Sequence, residues 1–199
     1  MFENDFVRIT ELRMNPGDHE PEHQHARGVT VSLSVYDNEV VALPERTTTK
    51  RHTELGEVRW ADASHHETRN TGTSLQRVIR VELKREPNAT SAPAAPDPLD
   101  SLIVSKATQR LILENADVRV IEELVPAGVA QAKHAHRRGV LIPLADTELE
   151  IVTYGTDGKA GNAVRRQVKA NNAAWGEASV HEVKNVGTAV MRNIRIEVK

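Results

Sequence analysis

Six of the nine histidines fall into two sets whose spacing could bring three imidazoles to one point. The sets are His23, His25, His66 and His134, His136, His181. The paired histidines recur at a constant displacement, since 134 − 23 and 136 − 25 both give 111, and the third recurs at 181 − 66, or 115. Side chains two residues apart on a strand project from the same face. A histidine from a neighbouring strand would therefore complete a three-nitrogen metal site in each half of the chain.

Three imidazoles around a metal leave one or more coordination positions open, which is the arrangement of catalytic metal sites. Neutral imidazole suits Zn, Ni, Cu or Fe, and the chain has no cysteine to supply thiolate ligands. We therefore expect a divalent transition metal (Zn, Ni, Cu or Fe) in at least one set. The alternative is that both sets are remnants of a gene duplication and hold no cofactor.

The internal repeat extends well beyond the histidines. Trp60 corresponds to Trp175, and residues 80–84, Arg-Val-Glu-Leu-Lys, correspond to residues 195–199, Arg-Ile-Glu-Val-Lys. Between the copies, residues 86–98 contain four prolines among Ala and Ser, a composition typical of an extended linker. The sequence predicts an N-terminal domain at 1–86, a linker at 87–100 and a C-terminal domain at 101–199.

Within each copy the periodicity is that of β-strands. Residues 29–36 are rich in β-branched side chains, and residues 75–83 alternate along a face that residues 190–198 repeat. Short strands separated by turn residues, without a convincing amphipathic helix, predict an all-β sandwich or barrel in each copy.

Arg77 and Arg192 occupy equivalent places on this otherwise apolar strand face. If the face turns into the barrel, each guanidinium could bind a carboxylate or phosphate ligand through two parallel hydrogen bonds. If it turns outward, the arginines reach solvent and bind nothing. We name both as candidate ligand-binding residues.

The two copies resemble the cupin superfamily. Gly17 precedes His23-x-His25 by the cupin spacing, and Asn70-Thr71-Gly72 follows the third histidine, His66, as in many members. Both halves match, so the resemblance covers the chain apart from the linker. It implies a bicupin, with two tandem jelly-roll β-barrels in one polypeptide.

The chain departs from the cupin pattern at the fourth metal ligand. Cupins usually carry a Glu shortly after the paired histidines, where this chain has Val29 and Thr30, or Val140 and Leu141. Losing a carboxylate should shift the metal preference toward Zn, Ni or Cu, which bind well to nitrogen ligands. The site also becomes more positive, which favours an anionic ligand. Glu20 and Glu22, beside Pro21, are weaker candidates to approach the metal.

The remaining features narrow the class of function. The formal net charge is −2, and no basic stripe or long apolar run points to nucleic acid or membrane. The first residues lack the regions of a secretory signal, so we expect a cytoplasmic protein, and a homodimer is a further expectation. The sequence predicts two three-histidine centres acting on or binding a small anionic molecule. The alternative is a metal-free small-ligand-binding or structural bicupin without catalytic activity.

Overall fold

A computed structural model describes residues 2–85 and 97–199. The chain divides into two compact units, Met1–Glu86 and Pro87–Lys199, which we call unit 1 and unit 2. Most of the predicted linker, residues 87–96, lies outside the described residues. Its last residues lead into unit 2, where the Asp100 side chain caps a short helix by accepting from the Leu102 backbone N–H at 2.9 Å.

Unit 1 contains nine strands among its described residues. These are β1 (Phe2–Glu3), β2 (Val7–Met14), β3 (His19–His25), β4 (Gly28–Ser32), β5 (Tyr36–Ala42), β6 (Thr47–Thr53), β7 (Val58–Ala61), β8 (Ser64–Asn70) and β9 (Gln76–Leu83). They form two antiparallel sheets, a five-stranded one in the order β1-β2-β9-β4-β7 and a four-stranded one in the order β3-β8-β5-β6.

Unit 2 repeats this arrangement after the helix α1 (Ser101–Val104). Its strands are β10 (Gln109–Glu114), β11 (Val118–Val125), β12 (Ala130–His136), β13 (Gly139–Pro143), β14 (Thr147–Tyr154), β15 (Val164–Val168), β16 (Ala174–Gly176), β17 (Ser179–Asn185) and β18 (Met191–Val198). The sheets run β10-β11-β18-β13-β16 and β12-β17-β14-β15. The prediction of an all-β fold is confirmed, and no helix in the described part of the chain could cross a membrane.

Gly28 and its repeat Gly139 begin β4 and β13, which pair with the long final strands β9 and β18. A Cβ atom on Gly28 would lie 2.0 Å from the carbonyl oxygen of Val81, and one on Gly139 would lie 2.0 Å from that of Ile196. Only glycine allows this close backbone approach. These residues therefore fix where β4 and β13 join their sheets.

The interiors of the two units differ at equivalent positions. In unit 2, Val125, Leu149, Val183 and Met191 form a buried apolar cluster between the two sheets. The repeat places Met14, Asn38, Thr68 and Gln76 at these positions in unit 1, and all four are buried. We call Asn38, Thr68 and Gln76 the floor of unit 1, because all three are buried and line its cavity.

The face of β9 that lines the cavity is not the apolar face that carries Arg77. Alternate residues Gln76, Val78, Arg80 and Glu82 line the cavity of unit 1. Ile79 and Val81, on the other face, are nevertheless buried. Alternation assigns each residue to a face but does not show which face is inward when both are buried.

Candidate metal centres

Strand pairing brings each set of three histidines together. His23 on β3 lies directly opposite His66 on β8, and His134 on β12 lies opposite His181 on β17. A bulge precedes the first histidine of each pair, between Glu20 and His23 in unit 1. In each set, one ligand nitrogen per residue can be chosen so that the three lie within 4.8 Å of one another. The structure thus assembles the two predicted sets, which we call triad 1 and triad 2.

Hydrogen bonds orient the paired imidazoles of triad 1. The His23 Nδ1–H donates to the Pro21 carbonyl at 2.7 Å, and the His25 Nδ1–H donates to the Glu82 carboxylate at 2.6 Å. Each bond places the proton on Nδ1 and leaves Nε2 with a lone pair. This is how metal-binding histidines are usually held by the groups behind them.

Triad 2 reproduces these hydrogen bonds. The His134 Nδ1–H donates to the Ala132 carbonyl at 2.6 Å, and the His136 Nδ1–H donates to Glu197 at 2.9 Å. Ser179 Oγ lies 3.4 Å from His181 Nδ1. The Glu on the last strand of each unit therefore has the same role in both triads.

The donor atoms that remain fit a metal ion. His23 Nε2, His134 Nε2 and His136 Nε2 are buried and have no hydrogen-bond partner in the protein. A buried acceptor without a partner costs about 1–3 kcal/mol. A cation in triad 1 would accept the lone pair of His23, and one in triad 2 would accept those of His134 and His136. The residues present therefore suit a metal with nitrogen ligands.

Burial keeps most of these imidazoles in the neutral form that binds metals. Desolvation, assisted by neighbouring imidazoles and by Arg80 in unit 1 or Arg195 in unit 2, lowers the pKa of each affected histidine. The pKa falls to about 4 for His66 and to about 3 for His181, and it is also lowered for His25, His134 and His136. Metal binding near neutral pH therefore displaces no proton from His66 or His181.

Glu82 and Glu197 remain ionised despite their burial. Burial opposes the charge, but hydrogen bonds from His25 and Arg8 lower the pKa of Glu82. Glu197 accepts from His136 and Arg119 and is wholly buried. Each carboxylate offsets part of the positive charge that a metal would bring.

Triad 1 opens into a cavity of about 880 Å³. His25, His66 and Arg80 line one part of it, and the floor of unit 1 lines another. Asn38 Oδ1 and Gln76 Oε1 are buried there without a hydrogen-bond partner in the protein. The lining of the cavity therefore includes both cationic and amide side chains.

The surroundings of triad 2 are more enclosed and carry an additional carboxylate. The exposed fraction is 0% for His134 and 4% for His136. Glu123 Oε1 lies 3.5 Å from His136 Nε2 and accepts a hydrogen bond from Arg195 Nε at 2.6 Å. Burial disfavours its charge, but Arg195 and His136 lower the pKa of Glu123 to about 2.

Arg77 and Arg192, the predicted ligand-binding arginines, are not brought to the triads. Arg77 pairs with Glu11 at 2.7 Å and Arg192 pairs with Glu122 at 3.0 Å. Alternation places both on the strand face opposite Arg80 or its repeat Arg195. Binding of an anion by Arg77 and Arg192 remains a prediction, and here their guanidinium groups are neutralised by glutamates.

The sequence reasoning missed the charged residues that do face the triads. Arg80 and Glu82, repeated as Arg195 and Glu197, lie on the inward faces of β9 and β18. Their repetition within otherwise β-branched strands was a visible signal. Glu20, a weaker candidate, has its Oε2 3.6 Å from His23 Nε2.

Comparison with known proteins identifies the fold. AerE from Microcystis aeruginosa is similar over 98% of this chain and 88% of its own, with a TM-score of 0.68 and 11% identity. The Lactobacillus farciminis oxalate decarboxylase, solved as a formate complex, is similar over 97% of this chain and 77% of its own, with a TM-score of 0.63 and 8% identity. A variant of the Bacillus subtilis oxalate decarboxylase OxdC is similar over 97% of this chain and 69% of its own, with a TM-score of 0.64 and 10% identity.

The chain therefore has the two-barrel fold of bicupins, as the resemblance implied. No protein-family model matches the chain. No curated protein matches it either. Identities near 10% show the fold alone, so the function must be argued from the site.

Proposed function

We propose that this protein is a metal-binding bicupin whose unit 1 binds a small anionic molecule at triad 1. His23, His25 and His66 would hold one divalent transition metal, and His134, His136 and His181 a second. The observation that carries the proposal is the convergence of three imidazoles in each unit. Among them His23 Nε2, His134 Nε2 and His136 Nε2 are buried without a hydrogen-bond partner in the protein.

The three-histidine sets favour Zn, Ni, Cu or Fe over metals that prefer oxygen ligands. One of the similar structures concerns the Mn(II) centres of the Bacillus subtilis oxalate decarboxylase. In this chain the described ligand clusters contain histidine alone. A metal bound at triad 1 would supply Lewis acidity toward an oxygen atom of the ligand.

The chain's own groups would orient the ligand. Glu82 fixes the His25 ring, and Arg80 adds a positive charge to the cavity wall. Asn38 and Gln76 add amide side chains to the lining of the cavity. This arrangement supports unit 1 as the ligand-binding unit.

Elemental analysis of untagged protein, purified without chelator, tests the metal centres. We expect a transition metal in near-stoichiometric amount, with H66Q losing the metal of unit 1 and H181Q that of unit 2. Circular dichroism provides the folding control for both variants. Absence of metal after purification and after reloading would contradict the proposal and favour a metal-free ligand-binding or structural bicupin.

We further propose a cytoplasmic homodimer. β6 and β15 are edge strands of their sheets, and such edges can pair with another chain. Light scattering coupled to size-exclusion chromatography would give twice the chain mass of 22.0 kDa. A monomer mass would contradict this proposal.

A further inference from the structure

The inward arginine on the last strand of each unit has different partners in the two units. Arg80 and Arg195 are repeats of each other, as are the glutamates two residues further on. Those glutamates make the same hydrogen bond to a triad histidine. The arginines do not share their partners, so their surroundings distinguish the two centres.

In unit 2 the arginine is neutralised from within the protein. Arg195 Nε donates to Glu123 Oε1 at 2.6 Å, and Asn193 Nδ2 donates to Glu123 Oε2 at 2.9 Å. Glu123 Oε1 also lies 3.5 Å from His136 Nε2. An internal carboxylate thus lies between the arginine and the triad.

In unit 1 that carboxylate is missing. The displacement of 111 residues relates Glu123 to Leu12, and the displacement of 115 relates Asn193 to Val78. Leu12, Val78 and Arg80 all line the cavity of unit 1. An aliphatic surface therefore replaces the carboxylate and the amide that holds it.

Arg80 keeps a buried N–H group without an acceptor. Only 8% of the residue is exposed, and its Nε has no hydrogen-bond partner. Glu82 Oε1 lies 3.4 Å from Nε but outside hydrogen-bond geometry, while Nη2 donates to the Ala26 carbonyl at 2.8 Å. A buried guanidinium with an unpaired donor is costly unless an anion accepts from it.

We propose that Arg80 binds the carboxylate of an external small molecule, at the place that the Glu123 side chain occupies in unit 2. The Leu12 and Val78 side chains line the cavity beside this position, so they would contact the aliphatic part of the ligand. The ligand class is therefore a small carboxylate with an aliphatic segment. The inference deepens the proposed anion binding in unit 1 and rests on it.

The same comparison predicts that unit 2 does not bind an external carboxylate at Arg195. Glu123 occupies the acceptor position beside Arg195, and an external carboxylate would meet a like charge there. Unit 2 therefore excludes the ligand that unit 1 binds. The two triads serve different purposes, although they repeat the same histidines.

Ligand-observed NMR titration with butyrate tests the proposal, with the neutral isostere butanamide as the matched control. We expect butyrate to bind to wild-type protein and butanamide to bind far more weakly. R80Q should weaken butyrate binding about 10- to 100-fold, since it removes a charge-assisted hydrogen bond. L12E/V78N, which rebuilds the unit 2 carboxylate in unit 1, should abolish it.

A rescue variant extends the test to unit 2. E123L/N193V, introduced into R80Q, should restore butyrate binding through Arg195. Circular dichroism monitors folding. If this variant does not fold, R80Q and L12E/V78N still test whether Arg80 binds the carboxylate. Butyrate binding that is absent from the wild type, or equal in wild type and R80Q, overturns the proposal.

Metal content measured on the same samples separates this inference from the proposed metal centres. Arg80-dependent binding of butyrate to protein that holds no metal after purification and reloading supports the carboxylate site and contradicts the metal centre. Metal-loaded protein without Arg80-dependent binding does the reverse.

Discussion

Replacing the polar floor of unit 1 by its apolar counterpart from unit 2 is expected to stabilise unit 1 and weaken its ligand binding. The variant is N38L/T68V/Q76M, which introduces the residues found at Leu149, Val183 and Met191. The unit 2 residues pack together between the equivalent sheets of unit 2. The exchange therefore transfers the unit 2 packing to unit 1.

The magnitude follows from the hydrogen bonds of the floor. Asn38 Oδ1 and Gln76 Oε1 are buried without a partner, at a cost of about 1–3 kcal/mol each. Thr68 Oγ1 donates to the Glu39 carbonyl at 3.1 Å, and losing this bond costs about 1 kcal/mol. The free energy of unfolding of unit 1 should rise by about 1–5 kcal/mol.

Urea unfolding in a W175F background measures this change, because Trp60 then reports on unit 1 alone. The matched control is M191Q, the reverse exchange in unit 2. It should destabilise unit 2 by about 2–4 kcal/mol, because it puts an amide into an apolar cluster. The control is followed through Trp175 in a W60F background.

The floor also lines the cavity that would hold the ligand, so stability and binding should change in opposite directions. The triple variant should bind hydroxylated carboxylates such as 4-hydroxybutyrate more weakly than wild-type protein does. A lower unfolding free energy would refute the packing argument. Unchanged binding of 4-hydroxybutyrate would refute the assignment of the floor to ligand binding.

Three further predictions concern the triads and the strands that position them. E82Q should lower the metal affinity of unit 1 about 10- to 100-fold by chelator competition in an H181Q background, because the carboxylate orients a ligand imidazole. Metal-free protein should lose stability as the pH falls from 6.5 to 5, because unfolded histidine takes up protons there whereas burial holds the pKa of His66 at about 4; the urea midpoint of H66Q should fall less steeply. G139A should destabilise unit 2 by about 3 kcal/mol or more in urea unfolding, because its Cβ would meet a carbonyl oxygen of β18 at 2.0 Å, whereas G176A should be nearly neutral.

Each of these predictions has an outcome that contradicts it. For E82Q it is an unchanged metal affinity. For the pH dependence it is an H66Q midpoint that falls as steeply as that of wild-type protein. For G139A it is a stability equal to that of G176A.

The strand periodicity and the cupin resemblance predicted the fold, and the histidine repeat predicted the composition of both triads. The displacement of 111 residues is the same for both histidines of the pair. Pairing of β3 with β8 then places His23 opposite His66. Residue spacing determines such contacts because strand geometry is regular. Neither conclusion needed any knowledge of side-chain packing.

The ligand-binding face could not be predicted by the same reasoning. The run from Arg77 to Leu83 alternates, and the alternation left open whether the face with Arg77 turns inward or outward. Both faces of β9 are buried, so hydrophobicity did not distinguish them, and the charged face with Arg80 and Glu82 lines the cavity. The Arg195–Glu123 pair likewise joins two strands whose contact the repeat alone does not reveal.

Anomalous diffraction from crystals of untagged protein, grown without chelator, tests the metal centres most directly. Data collected on both sides of the absorption edge of the metal found by elemental analysis should give a peak in each triad. Each peak should lie about 2.0–2.2 Å from three imidazole nitrogens. Maps with no anomalous peak at either triad, from crystals soaked with Zn, Ni, Cu and Fe in turn, would contradict the account.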